Sequence, residues 1–401
     1  EKRKFAKTFH GALVSFAERR IIKMKKVCIF SAQYLPTVGG VERYTYNIAK
    51  QLQKKGIDVT IVTSRISKLK EFEIENGIKI YRLPCYNLMN GRFPTVKFNG
   101  EYRKLMRMLK KQKYDLVITN TRFYIHSLVG VTFGRKYAKR NIVIEHGTSH
   151  MSVHNAILDK MERIFEHGIT WLVKRQCNEF YGVSQACLEW LGHFHINGIS
   201  TLYNAVDMDD INNLLNRKDD MRDKYSIPEN AIVIAYTGRL IEEKGVLQLQ
   251  SAFQNIQKCF PNSYLIMAGD GVLYQRLKES NTKNMILMGQ VTFEEVVSLL
   301  KVSDIFCLPS VSEGMPTSVM EAIACHNFVI TTERGGAKEI IADDSYGIIL
   351  ENNKKDLVEK ALLRSMENRK YRISATEKSY ERLIKGFTWE KVADKIEHEF
   401  L

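Results

Sequence analysis

Short apolar runs alternate with amphipathic stretches from position 26 to about 200, and the same pattern restarts at 231. "KVCIFSAQYLP" reads as a buried strand. It runs through "TVGG" into "VERYTYNIAKQLQKKG", where Val41, Tyr44, Ile48 and Leu52 recur at helical spacing. "IDVTIVTSR", "GIKIYRLP", "YDLVITNT" and "NIVIEHG" follow as further strands separated by helical segments. The second series runs "AIVIAYTGRL", "SYLIMAGDG", "KNMILMGQV", "DIFCLPS", "NFVITTERGG" and "YGIIL", again with helices between. Such alternation requires crossover helices on both faces of a parallel sheet. The chain is therefore expected to be α/β, with two Rossmann-like parallel-sheet domains facing a deep interdomain cleft. Ligands of open α/β sheets bind at the carboxyl ends of the strands, which here line both sides of that cleft.

The expected division is a basic extension at 1–23, an N-terminal domain at 24–204 and a C-terminal domain at 205–385. A last helix at 386–401, "FTWEKVADKIEHEF", is left over once the second sheet is complete. Met24 opens the first strand, so the extension is left out of the fold. Residues 1–203 hold 35 Lys and Arg against 15 Asp and Glu, a formal +20, whereas 204–401 hold 25 against 30, or −5. The two halves therefore face different partners. No apolar run approaches the roughly 20 residues of a membrane-spanning helix. Seven cysteines without a CxxC pair, most of them in apolar runs, point to a reducing, cytoplasmic compartment and away from a zinc site.

Every loop rich in glycine or charge follows a strand. Gly39-Gly40 suits close approach of a phosphate or sugar at a helix N-terminus, without the G-x-G-x-x-G spacing of a dinucleotide site. "MAGDGVLY" has Tyr274 where that spacing requires glycine, and reads as a turn. In "YTGRLIEEKG", Arg239 and Lys244 offer a planar fork and a point charge, a pair suited to a diphosphate or to an ordinary charged loop. His146, directly after a buried strand, belongs in the cleft. His150 and His154, four residues apart, lack the HExxH context and a suitably spaced carboxylate, so no metal ligand set is expected.

"SEGMPTSVMEA" is the most informative stretch, with Glu313 and Glu321 flanking a loop that opens a helix, Pro316 being expected at the first helical position. A helix N-terminus attracts anions, but two carboxylates beside it would repel a bare phosphate. Carboxylates that accept hydrogen bonds from hydroxyls on either side of a diphosphate remove the conflict. A nucleoside diphosphate sugar has that order of groups.

In order and spacing, "GGVE", the His of "EHG", "VS" at 183–184, "YNAVD", "GRL…EKG", "AGDG", "EGMPTSVME" and "FTWEKVADKI" resemble the retaining glycosyltransferases of family 4, over about 24–401. The resemblance implies the GT-B fold and a closing helix packed back on the first domain. It gives Arg239 and Lys244 the donor diphosphate and the leaving group, Glu321 the ribose and Glu313 the donor sugar. Backbone at Gly314, Met315, Pro316 and Thr317 would reach phosphate or sugar oxygens, Pro316 itself without an N–H. Gly39 and Gly40 would border the reacting centre, His146 would contact the sugar, and the base pocket would lie near Val291. The catalytic set so implied is His146, Arg239, Lys244 and Glu313.

No DxD motif is placed to hold a metal against the phosphates, since "DMDD" at 207–210 lies at the hinge. The expectation is thus a retaining, metal-independent enzyme without a cofactor, in which helix N-termini and the two cations carry the leaving-group charge. The basic first half, with "VKFNGEYRKLMRMLKKQKYD" and "FGRKYAKR", suits a lipid-linked or saccharide acceptor and a peripheral position on an anionic inner membrane face. No nucleic-acid module accompanies the charge. A UDP-sugar is favoured as donor. The alternatives are a GDP-sugar transferase, a nucleotide-sugar epimerase or phosphorylase on the same fold, and a non-catalytic carbohydrate- or partner-binding protein at the membrane.

Overall fold

β1 (Lys26–Ser31) shows why the first half folds as a layered sheet: Val27 and Ile29 point into one apolar layer and Cys28 and Phe30 into another. A strand buried on both faces needs parallel neighbours covered by helices, and β1 pairs in parallel with β2 (Asp58–Arg65) and β6 (Tyr114–Asn120). The computed structural model describes residues 24–401 apart from 38, 67, 89–90, 92, 151–155 and 218–220. The basic extension 1–23 and His154 lie outside the described residues.

Around β1, β2 and β6 the sheet is completed by β3 (Phe72–Glu75), β4 (Ile78–Leu88), β5 (Phe93–Val96), β7 (Ala138–Glu145), β8 (Phe180–Gly182) and β9 (Ser200–Thr201). Its order is β3-β4-β2-β1-β6-β7-β8-β9, with β5 on β4. The parallel sheet carries an antiparallel edge that the sequence reading did not include, where β3 and β5 both run antiparallel to β4. Asn76-Gly77 joins β3 to β4 with φ of 49° and 81°, the left-handed pair of a tight hairpin.

The second sheet comprises β10 (Ile232–Thr237), β11 (Ser263–Ala268), β12 (Met285–Gly289), β13 (Ile305–Leu308), β14 (Phe328–Thr332) and β15 (Ile348–Leu350). Its order is β12-β11-β10-β13-β14-β15, and every pairing is parallel. In both sheets the chain moves outward from the first strand on one side and then crosses to the other. This reversal opens a crevice at the carboxyl ends of β1 and β6 in one sheet and of β10 and β13 in the other. The loops that leave β1, β10 and β13 carry Gly39-Gly40, Arg239 with Lys244, and Glu313 through Thr317.

The chain passes between the sheets twice at one place: Val206 N donates to Phe387 O, and Trp389 N donates to Val206 O. The last helix, Trp389–Phe400, then lies on the helix Gly40–Lys54 of the first domain. Trp389 meets the Tyr44 ring edge-on at 5.1 Å, and Lys55 pairs with Asp394 and Glu397 at 2.7 and 2.8 Å. The basic stretch at 96–115 contains the helix Gly100–Leu109, whose Leu105, Met106 and Leu109 are buried in the core. Its apolar side is thus used internally, and Arg103, Lys104 and Arg107 face solvent.

Candidate active site

Four loops build the site. After β10, Tyr236 donates its hydroxyl to Arg239 O at 2.8 Å, which fixes the start of the loop. A single 3-10 turn, Glu242–Lys244, then brings Lys244 to within 2.6 Å of Glu313 Oε1. Both side chains are largely shielded from solvent, so salt screens this pair less than a surface ion pair. Arg239 is exposed toward the cleft and forms no ion pair with any described residue. Its positive charge is left for a ligand.

The loop after β13 is held from behind. Gly336 N donates to Gly314 O at 2.7 Å. Gly335 sits at φ +55°, where a Cβ would lie 2.1 Å from Gly314 O, so only glycine fits there. The helix that follows is Thr317–Ala324, with Pro316 as its N-cap. Proline therefore stands one position earlier than expected. No side chain caps this helix end, which leaves its first N–H groups open for an anion.

Between the two sheets lies a cavity of about 610 Å³. Its wall includes Gly40 and Arg43 from the first domain, and Arg239, Lys244, Asp270, Gln290, Val291, Glu313, Met315, Pro316, Thr317, Ser318 and Glu321 from the second. At about 3.6 residues per turn, Glu321 lies a turn inside its helix, and it is only 9% exposed. Burial raises its pKa, partly offset by Arg43, whose Nη1 is 3.6 Å from Glu321 Oε1. Arg43 was not anticipated from the sequence. The signal available was its place on the first turn of a helix that opens at the cleft.

Three expected residues, all partly exposed, do not line this cavity. The ring of His146 packs against Tyr44, edge-on at 4.8 Å. Asn120 Nδ2 donates to Thr45 Oγ1 at 2.7 Å, leaving its Oδ1, 3.1 Å away, to accept from His146 Nε2. Burial pushes the imidazole pKa down to about 3, so the ring is neutral. Gly314 sits directly under the His146 carbonyl. Gly39 is the N-cap of the helix Gly40–Lys54, with the Glu42 carboxylate folded against it. Glu42 is buried and its pKa is raised by that burial. It lies in the quoted "GGVE", but the sequence assigned it no role. Thr148 closes the set, donating its hydroxyl to Glu313 O at 3.1 Å across the cleft.

Known proteins share this architecture. Residues 217–382 match the family model for glycosyl transferases group 1, and residues 38–210 match that for Glycosyltransferase Family 4. An uncharacterized glycosyltransferase of Methanocaldococcus jannaschii is 27% identical over 379 residues, 91% of this chain and 95% of the relative. The UDP-Gal:alpha-D-GlcNAc-diphosphoundecaprenol alpha-1,3-galactosyltransferase of Escherichia coli is 25% identical over 393 residues, 94% of this chain and 97% of that protein. Among solved structures, sucrose-phosphate synthase from Thermosynechococcus elongatus superposes with a TM-score of 0.74 at 16% identity, covering 94% of this chain and 98% of that one. Anabaena HepE in complex with UDP-glucose gives 0.67 at 17% identity, covering 94% and 99%. The fold is thus GT-B. The two family models together span most of the chain, and the donor-side motifs lie on one cavity of that fold. The chain belongs to glycosyltransferase family 4.

Proposed function

We propose that this enzyme transfers a hexose from a UDP-sugar to a lipid-linked saccharide with retention of anomeric configuration and without a metal at the diphosphate. The observation that carries the proposal is the unneutralised Arg239 beside Lys244 and the uncapped helix Thr317–Ala324, all on one cavity. A nucleotide diphosphate placed there meets a guanidinium fork, an ammonium and backbone N–H groups. These charges stabilise the departing diphosphate, the role a divalent cation would otherwise take. Glu321 accepts from the ribose hydroxyls. Glu313 accepts from the sugar as Lys244 turns from it toward phosphate. Val291 and Gln290 border the base.

His146 is neutral and its backbone carbonyl packs on Gly314; it carries no proton in the step. The acceptor hydroxyl attacks on the face from which the diphosphate leaves, passing its proton to the departing phosphate oxygen. The cleft keeps competing water out. The UDP donor and the lipid-linked acceptor are supported by the Escherichia coli galactosyltransferase, which pairs UDP-Gal with alpha-D-GlcNAc-diphosphoundecaprenol. A lipid acceptor is supported as well by the yeast phosphatidylinositol N-acetylglucosaminyltransferase subunit, 24% identical over 372 residues.

The helix Ala156–Lys174 supports a peripheral position on a membrane face. Met161, Ile164 and Trp171 stand out on one side of it, 63%, 67% and 46% exposed, with Lys160, Arg163 and Arg175 close by. A helix that turns apolar side chains outward suits insertion at a bilayer surface, although Asp159, Glu162 and Glu166 balance its three Lys and Arg side chains. No helix among the described residues is long and apolar enough to cross a membrane.

The test is a reaction of the full chain with UDP-glucose, UDP-galactose, UDP-N-acetylglucosamine or GDP-mannose and a short polyprenyl-diphosphate saccharide. UDP release with an α-linked product by proton NMR coupling is expected. A β-linked product contradicts retention, and turnover with GDP-mannose alone overturns the donor assignment.

A further inference from the structure

A second constellation lies on the first domain, away from the donor cavity. It joins His150 from the loop after β7, His167 from the helix Ala156–Lys174, and His193 from the C-cap of the helix Gln185–Gly192. One ring nitrogen from each lies within 4.8 Å of the others. His150 Nε2 and His193 Nε2 are 3.2 Å apart. Two nitrogens bound tetrahedrally to zinc at about 2.0–2.1 Å stand about 3.3–3.4 Å apart, so this pair already has the spacing of co-ligands.

The rings are also held. Trp190 stacks on His193 at 4.8 Å with only 3° between the planes, and Phe194 packs on His167 at 4.7 Å. His150 Nδ1 is 2.5 Å from Glu166 Oε2 and donates to it. A carboxylate on the far nitrogen fixes the tautomer that presents Nε2 as a ligand and raises its basicity. Behind Glu166 the charges run in a buried row: Arg122 bridges Glu166 and Glu145, and none of the three is more than 4% exposed. Two carboxylates and one guanidinium leave that row one negative charge in excess, which a cation on the Nε2 side of His150 offsets.

We propose that His150, His167 and His193 bind one divalent, zinc-type ion, with a fourth position left to water. Three imidazoles and no thiolate favour zinc and its neighbours over calcium or magnesium. His167 and His193 are exposed, so the ion enters from solvent. The site reaches the cleft through hydrogen bonds. Glu145 Oε1 accepts from His146 N and Gly147 N at 3.0 and 2.9 Å, and one residue on, Thr148 meets Glu313 O. An ion on His150 thus anchors the loop that faces the donor.

The experiment uses the full chain, stripped with chelator and titrated with Co2+ alone, then with Zn2+. One equivalent of Co2+ is expected to give the visible absorption of a four-coordinate centre, displaced by Zn2+. Added Zn2+ is expected to raise the melting temperature. His167→Ala and His193→Ala, both on the surface, are expected to keep the circular dichroism spectrum. Each is expected to weaken binding by more than the roughly 10–100-fold that loss of an outer-shell partner costs. His193→Gln repeats the test with a larger side chain. Absence of one-equivalent Co2+ absorption, or absorption that survives both alanine substitutions, overturns the proposal. UDP binding at the donor cavity is read separately and does not depend on the outcome.

Discussion

Glu321, the residue proposed to hold the ribose, is kept buried at a cost to the fold. Burial raises its pKa, so between the unfolded and folded values the folded state holds more protons than the unfolded one. Stability then falls as pH rises through that window, and at neutral pH the ionised carboxylate is a net burden. Glu321→Gln is therefore expected to raise the melting temperature of the ligand-free enzyme at pH 7. It is also expected to weaken UDP binding by about tenfold or more, the worth of a hydrogen bond to a charged acceptor. Differential scanning fluorimetry and calorimetry read the two effects, and a loss of stability with unchanged affinity contradicts the role given to Glu321.

His146 has the opposite sign. Its pKa is depressed from 6.5 to about 3, so the unfolded chain takes up a proton that the folded chain refuses. Its contribution is complete above about 6.5 and lost as pH falls toward 3. The buried His126, also pushed down to about 3, acts in the same direction. The melting temperature is expected to drop between pH 7 and 5, and less so in His146→Gln.

At the level of elements, the loops of the site were legible and much of their support was not. Arg239, Lys244, Glu313 and Glu321 stand at strand ends and at a helix start, so residue type and position together pointed to the cleft. Arg43 escaped because a charged residue on a helix reads as a solvated face until the opposite domain is in view. The histidine cluster escaped for a different reason. Its members come from a loop, a helix and a helix end, 17 and 26 residues apart in sequence, and no spacing rule joins them. The hairpin β3–β4 could have been read from Asn76-Gly77.

Two element-scale predictions follow from packing. Gly335→Ala places a methyl against Gly314 O at positive φ. It is expected to cost about 1–2 kcal/mol from the backbone conformation alone, seen in urea unfolding, and to weaken UDP binding by displacing the Glu313–Gly314 loop. The exposed face of Ala156–Lys174 makes vesicle flotation the second measurement. Met161→Ser, Ile164→Ser and Trp171→Ser together are expected to abolish binding to phosphatidylglycerol-rich vesicles while leaving UDP affinity unchanged. Equal flotation of the triple variant would place the membrane contact elsewhere.

The whole molecule is two sheets whose switch points face each other, with a basic first half of +20 and a second half of −5. Arg43 reaching Glu321, Thr148 reaching Glu313 and Gln185 N donating to Glu339 Oε1 at 2.7 Å tie the halves across the cleft. The returning helix Trp389–Phe400 ties them again at the back. On the proposed function, the donor side lies almost wholly in the second domain, and the first is left to supply a cover and the acceptor face.

The central claim is that this cavity binds a nucleotide diphosphate through Arg239 and Lys244, and isothermal titration with UDP in the presence of EDTA tests it most directly. One-to-one binding is predicted for the wild type, tighter than for GDP or ADP. Arg239→Ala is predicted to weaken it at least tenfold, about 1.4 kcal/mol, with the melting temperature of the ligand-free protein unchanged. Absence of UDP binding in folded protein, or equal affinity in Arg239→Ala and Lys244→Ala, would contradict the account.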